Sequence, residues 1–186
     1  MTELHVFIDV SGSMAESGIY GKLAKYYLSR NLAQYILEFQ NSEPDTQFSN
    51  IHFYLWKEQI IPIGDLSSGK LSRSSDIPEY APQGSLNIKR LFKWFQENKL
   101  KNILLITDGC ILRKDIPQVH KIIKILETKN IVIRVVGVGC DAAEENLKLL
   151  STENRYFQAN DIDSALHRPF RLPEIDDPRF LSEIKF

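Results

Sequence analysis

Asp9, Ser11 and Ser13 stand in the pattern D-x-S-x-S, and Asp108 stands in Thr107-Asp108-Gly109. Together they offer two carboxylates and two hydroxyls, all hard oxygen donors. Such donors suit Mg²⁺, Mn²⁺ or Ca²⁺ and not zinc. Mg²⁺ takes about six oxygens near 2.1 Å and gives up water reluctantly. If neutral hydroxyls bind directly and the acids act partly through water, the ion keeps net positive charge. It then seeks an anionic oxygen from outside, such as a carboxylate on a partner protein. Gly12, between the two serines, is expected to let the loop turn sharply enough to aim both inward.

These residues can meet only if particular elements carry them. Residues 4–10 are a short apolar run, predicted as a buried strand that ends at the first motif. Residues 102–107 are a second such run and end at Asp108. From about Gly21 to Gln40 the sequence has helical spacing, with Ala24, Leu28, Leu32, Tyr35, Ile36 and Phe39 as one apolar stripe. Residues 51–56 and 59–63 read as a hairpin about Lys57 and Glu58. Asn87 is placed to cap a helix carrying Ile88, Leu91, Phe92 and Phe95 at i, i+3, i+4 and i+7. Val119, Ile122, Ile123 and Leu126 repeat that spacing. A strand over 131–138, a helix near 142–151, a short strand at Tyr156-Phe157 and a final turn near Ile162–Leu166 follow. Continuously apolar strands alternating with amphipathic helices predict an α/β fold, a doubly wound, mostly parallel sheet with helices on both faces. Ligands of such sheets bind outside the carboxyl ends of the strands, where the winding reverses. Neighbouring strands at that point would bring Asp9 and Asp108 into one crevice with Ser11 and Ser13.

The composition excludes several classes of function. The chain has 186 residues, 43% of them hydrophobic and 25% charged, which are ordinary globular values. Its 23 basic and 24 acidic side chains leave a net charge of -1. That balance argues against nucleic acid as a partner, since such binders are strongly basic. No apolar run approaches the roughly 20 residues that cross a bilayer. The N-terminus reads as no signal peptide, so the expectation is a cytoplasmic protein with no membrane partner. Cys110 and Cys140 have no metal-ligand spacing and read as free thiols. His5 and Arg134 read as satisfied polar groups at a sheet edge. Lys89, Arg90, Lys93, Lys99 and Lys101 read as a solvated helix face.

With these residues in view, the chain resembles a von Willebrand factor A domain with a metal-ion-dependent adhesion site. The resemblance covers Leu4 to about Leu166. It rests on Phe7-Ile8-Asp9-Val10-Ser11-Gly12-Ser13-Met14, the strand end Ile106-Thr107-Asp108-Gly109, the run Val135-Val136-Gly137-Val138-Gly139, and Arg155-Tyr156-Phe157. It implies one antiparallel edge strand, which suits the 51–63 hairpin, and a metal that bridges to a ligand acid. The family's second loop supplies a threonine in Gly-Gly-Thr-Asp/Asn before a helix. Here the segment is Gln83-Gly84-Ser85-Leu86-Asn87-Ile88, with Leu86 at the threonine position. Either Ser85 serves as the fifth ligand or that ligand is missing.

The resulting expectation is a domain over 1–166 and a C-terminal tail, 167–186, packed on it. Its function would be that of a non-enzymatic, Mg²⁺-, Mn²⁺- or Ca²⁺-dependent protein-interaction module. The ion would be held by Asp9, Ser11, Ser13, Asp108 and Ser85, with the 64–84 loop selecting an acidic protein partner. By analogy, stand-alone domains of this kind resemble parts of bacterial multi-protein systems for stress, tellurium resistance or conflict. Two alternatives are a degenerate domain that binds partners without metal and a metal-assisted phosphohydrolase. No nucleophile and base with catalytic spacing is visible for the latter.

Overall fold

A computed structural model describes residues 2–15, 24–42, 48–65, 71 and 76–167. The expected helix start at 21–23, residues 66–70 and 72–75 of the 64–84 loop, and the tail from 168 onward lie outside the described residues. The strands are β1 (Thr2–Asp9), β2 (Phe48–Trp56), β3 (Ile60–Asp65), β4 (Asn102–Thr107), β5 (Val132–Gly137) and β6 (Tyr156–Gln158). The α-helices are α1 (Ala24–Ser42), α2 (Ile88–Glu97), α3 (Ile116–Thr128), α4 (Glu144–Leu150) and α5 (Ile162–His167).

The strands form one sheet in the order β3-β2-β1-β4-β5-β6. Only the β2–β3 pair is antiparallel; the other four pairs are parallel. β1 and β4 are adjacent, with Ile8 beside Ile106, so the winding reverses between them. The doubly wound sheet with one antiparallel edge strand is the expected architecture.

Both faces are covered because the strands present apolar side chains in both directions. Leu4, Val6 and Ile8 of β1 pack with Ile36, Leu37 and Ala33 of α1 and with Leu166 of α5. Phe7 points the other way, into a core with Leu91 and Phe95 of α2, Val119 and Ile123 of α3, and Leu147 of α4. At α2 the local signal and the structure agree closely. The Asn87 side chain accepts the Arg90 N–H at 3.0 Å, and Ile88, Leu91, Phe92 and Phe95 are all buried.

Three expectations need correction. Tyr35 is 37% exposed and its hydroxyl donates to Asp163. The buried face of α1 keeps Leu32, Ile36 and Phe39 of the expected stripe and adds Lys25, Tyr26, Ser29, Ala33 and Leu37. Apolar spacing does not register Lys25 and Ser29, polar side chains whose hydrogen bonds to Asp108, Asp141 and the Lys25 carbonyl hold them inside. Gly12 does not sit in the left-handed region. Its role is close approach, for a Cβ there would stand 3.2 Å from the Gly84 carbonyl oxygen, which accepts the Gly12 N–H at 2.9 Å. His5 and Arg134 lie on interior strands, β1 and β5, and not at an edge. Arg134 donates to the Ala165 carbonyl of α5. Among the described residues no helix is long and apolar enough to cross a membrane.

Candidate metal centre

β1 delivers Asp9 to the carboxyl end of the sheet, and the chain then turns through a 3-10 segment, Gly12–Ala15. Asp9 is fully buried. The Ser11 N–H donates to its Oδ1 at 2.8 Å, and Thr107 Oγ1 donates to its Oδ2 at 2.6 Å. Thr107 Oγ1 in turn accepts the Gly109 N–H at 3.1 Å, so one hydroxyl ties the two strand ends together. Ser11 Oγ lies 3.1 Å from Ser13 Oγ, and Ser13 Oγ donates to Asp108 Oδ1 at 3.2 Å. The Cys110 N–H also donates to that oxygen, at 3.0 Å. Asp9, Ser11, Ser13 and Asp108 therefore form one continuous oxygen cluster across the β1–β4 junction.

Burial raises the Asp9 carboxyl to about 7; hydrogen bonds from Thr107 and Ser11 oppose the rise, and the Asp108 charge adds to it. Two acids packed this closely favour a cation between them. One cation is already present in the chain. Lys25 of α1 is buried, and its Nζ donates to Asp108 Oδ2 at 3.0 Å and to Asp141 Oδ2 at 2.7 Å. Burial disfavours its charge, but the bonds to Asp141 and Asp108 outweigh this and hold the ammonium above the usual lysine range. The same bond from Lys25 holds Asp141 below the usual carboxylate range. Gly139 makes room for this side chain, since a Cβ there would stand 2.9 Å from Lys25 Cε.

No family model matches the sequence, and no curated protein does. Solved structures do share its fold. The manganese-loaded TRAP protein of Plasmodium vivax aligns with a TM-score of 0.64 at 18% identity, over 91% of this chain and 72% of that one. Proximal thread matrix protein 1 from the mussel byssus, with a zinc-occupied MIDAS motif, aligns at 0.60 and 13% identity, over 89% of this chain and 44% of that one. The ArnB paralog VWA2 of Sulfolobus acidocaldarius aligns at 0.56 and 16% identity, again over 89% and 44%. The chain has the von Willebrand factor A fold. It spans less than half the length of the mussel and archaeal chains.

The donors of the oxygen cluster, carboxylates and hydroxyls, are of the kind a hard divalent cation takes. The oxygen spacings of 3.1 and 3.2 Å are those of the hydrogen bonds that join the cluster. The second loop reaches the site through its backbone. The Gln83 N–H donates to the Val10 carbonyl at 3.0 Å, and Gly84 meets Gly12 as described. Ser85 is exposed, and among the described residues no hydrogen bond joins its hydroxyl to the cluster. It lines a separate groove of about 290 Å³ with Glu58, Asn87, Lys114 and Asp115. Leu86, at the threonine position, packs against the α2–α3 core. Sequence reasoning did not nominate Thr107, Lys25 or Asp141. Thr107 stood in the quoted motif and could have been found there. Lys25 had no signal, since a lysine on an amphipathic helix reads as solvated.

Proposed function

We propose that this chain is a non-enzymatic protein-interaction module whose cluster holds a divalent cation, Mg²⁺ or Mn²⁺, that bridges to an acidic side chain of a partner protein. The observation that carries this reading is the convergence of the Asp9, Ser11, Ser13 and Asp108 oxygens at the winding reversal. The two serine hydroxyls are neutral, and Asp9 is engaged by three donors, Ser11 N, Ser11 Oγ and Thr107 Oγ1. An ion bound mainly through the serines would keep positive charge for an incoming carboxylate. The manganese- and zinc-containing structures that share the fold support the same reading. We place such a module in the cytoplasm, within a bacterial multi-protein system.

A specific observation favours a second reading. Lys25 already supplies positive charge to Asp108, and Leu86 offers no oxygen, as a domain that binds partners without metal would require. Calorimetric titration with Mn²⁺ separates the two. In the first reading the wild-type chain takes up one ion and Asp9→Ala loses it by at least tenfold. Capture of an acidic partner from native extract is likewise expected to fail with EDTA and with Asp9→Ala. Capture indifferent to both would decide for the metal-independent domain.

A further inference from the structure

A second cluster lies at the opposite end of β1. His5 and His52 are register partners on β1 and β2, and Glu3 lies two residues before His5 on the same sheet face. The three side chains therefore converge on one spot. One nitrogen from each imidazole and one Glu3 carboxylate oxygen all lie within 4.8 Å of one another. Glu3 Oε2 is 3.6 Å from His52 Nε2 and 3.9 Å from His5 Nε2. The two rings stack with centroids 4.8 Å apart and planes 8° from parallel.

From these contacts we propose that Glu3, His5 and His52 form a binding site for a borderline transition-metal cation of the Zn²⁺ class, separate from the oxygen cluster. Two imidazole nitrogens and one carboxylate are a common donor set for such ions, and they leave a coordination position open. His5 is in the state a ligand needs. Burial, reinforced by His52, lowers His5 to about 4, so its ring is neutral at ordinary pH. The Tyr54 hydroxyl sits 3.2 Å from His5 Nδ1. Placing the ring proton on that bond leaves the Nε2 lone pair facing Glu3, an arrangement often seen behind metal-bound histidine. The Asn50 amide nitrogen lies 3.3 Å from His52 Nε2 and donates to it, and an ion bound at that nitrogen takes the place of this hydrogen bond. Closing around an ion requires a tilt of His52, the more exposed of the two rings. Four residues of strand, about 13 Å, separate His5 from Asp9, so the two sites are physically independent. Their donor sets also differ, with imidazole nitrogens here and oxygens alone there.

The test uses untagged full-length protein titrated with Zn²⁺ against a chromophoric chelator, and with Co²⁺ followed by its visible absorption. Wild type is expected to take up one Zn²⁺ and to show Co²⁺ bands. His52→Ala and Glu3→Gln, both partly exposed positions, are each expected to weaken uptake at least tenfold while keeping the wild-type circular dichroism. Asp9→Ala is expected to keep the uptake, which separates this site from the oxygen cluster. No uptake by wild type at 100 µM metal (about 5 kcal/mol of binding free energy), or undiminished uptake by His52→Ala, would overturn the proposal, leaving Glu3 and His52 as a surface contact.

Discussion

Lys25 is the residue whose position says most about how the oxygen cluster works. Its ammonium lies 3.0 Å from Asp108 Oδ2, on the carboxylate that also takes the Ser13 hydroxyl. A unit charge and a double charge about 5 Å apart repel by about 1–2 kcal/mol even with water-like screening. The lysine therefore opposes a divalent ion while stabilising the ion-free protein. Lys25→Met is expected to lower the melting temperature without metal, because Asp108 loses its buried partner. The same variant is expected to bind Mn²⁺ about tenfold more tightly, about 1.4 kcal/mol. Calorimetry and melting curves with and without Mn²⁺ check both halves. Equal or weaker Mn²⁺ binding would show that the ammonium supports the ion.

At the scale of elements, the site depends on how β1, β4 and the second loop are tied to one another. Thr107 Oγ1 links the ends of β1 and β4, and the Gly12–Gly84 bond links the first loop to the second. The second loop is anchored in turn by α2, whose first turn docks on the β2–β3 hairpin through the Asn87 N–H and the Lys57 carbonyl, 3.3 Å apart. The Asn87 side chain satisfies an N–H that the helix start would otherwise leave without a partner. Asn87→Ala is expected to cost about 1 kcal/mol in urea denaturation. Its effect on Mn²⁺ binding is expected to be small, because the cap lies outside the oxygen cluster.

For the whole molecule, the sheet separates two cores, and the crevice between β1 and β4 opens at its carboxyl edge. The α2–α3–α4 side is rich in aromatic contacts. Phe95 is fully buried and packs edge-on against Phe7 at 5.0 Å and Phe92 at 5.9 Å. Truncating a buried phenylalanine removes its transfer free energy and leaves a cavity. Phe95→Ala is expected to destabilise the fold by about 3–5 kcal/mol, read as a shift in the urea midpoint. That is a large share of the total stability of about 5–15 kcal/mol for an ordinary domain. A loss below 1 kcal/mol would mean that this core is less tightly packed than its contacts indicate.

Much of this architecture could be read from the sequence alone. Periodicity located the strands and helices, and the D-x-S-x-S and Thr-Asp-Gly motifs identified four of the clustered oxygens, because each depends on short-range pattern and on which end of a strand carries it. Tertiary structure decided what local spacing cannot encode. It decided that Lys25 turns inward, that Thr107 bonds Asp9 and that Ser85 faces a different groove. It also stacked His5 on His52, a pairing set by the register of two strands far apart in sequence. A polar side chain's direction depends on partners brought by other elements, and those partners exist only once the sheet has formed.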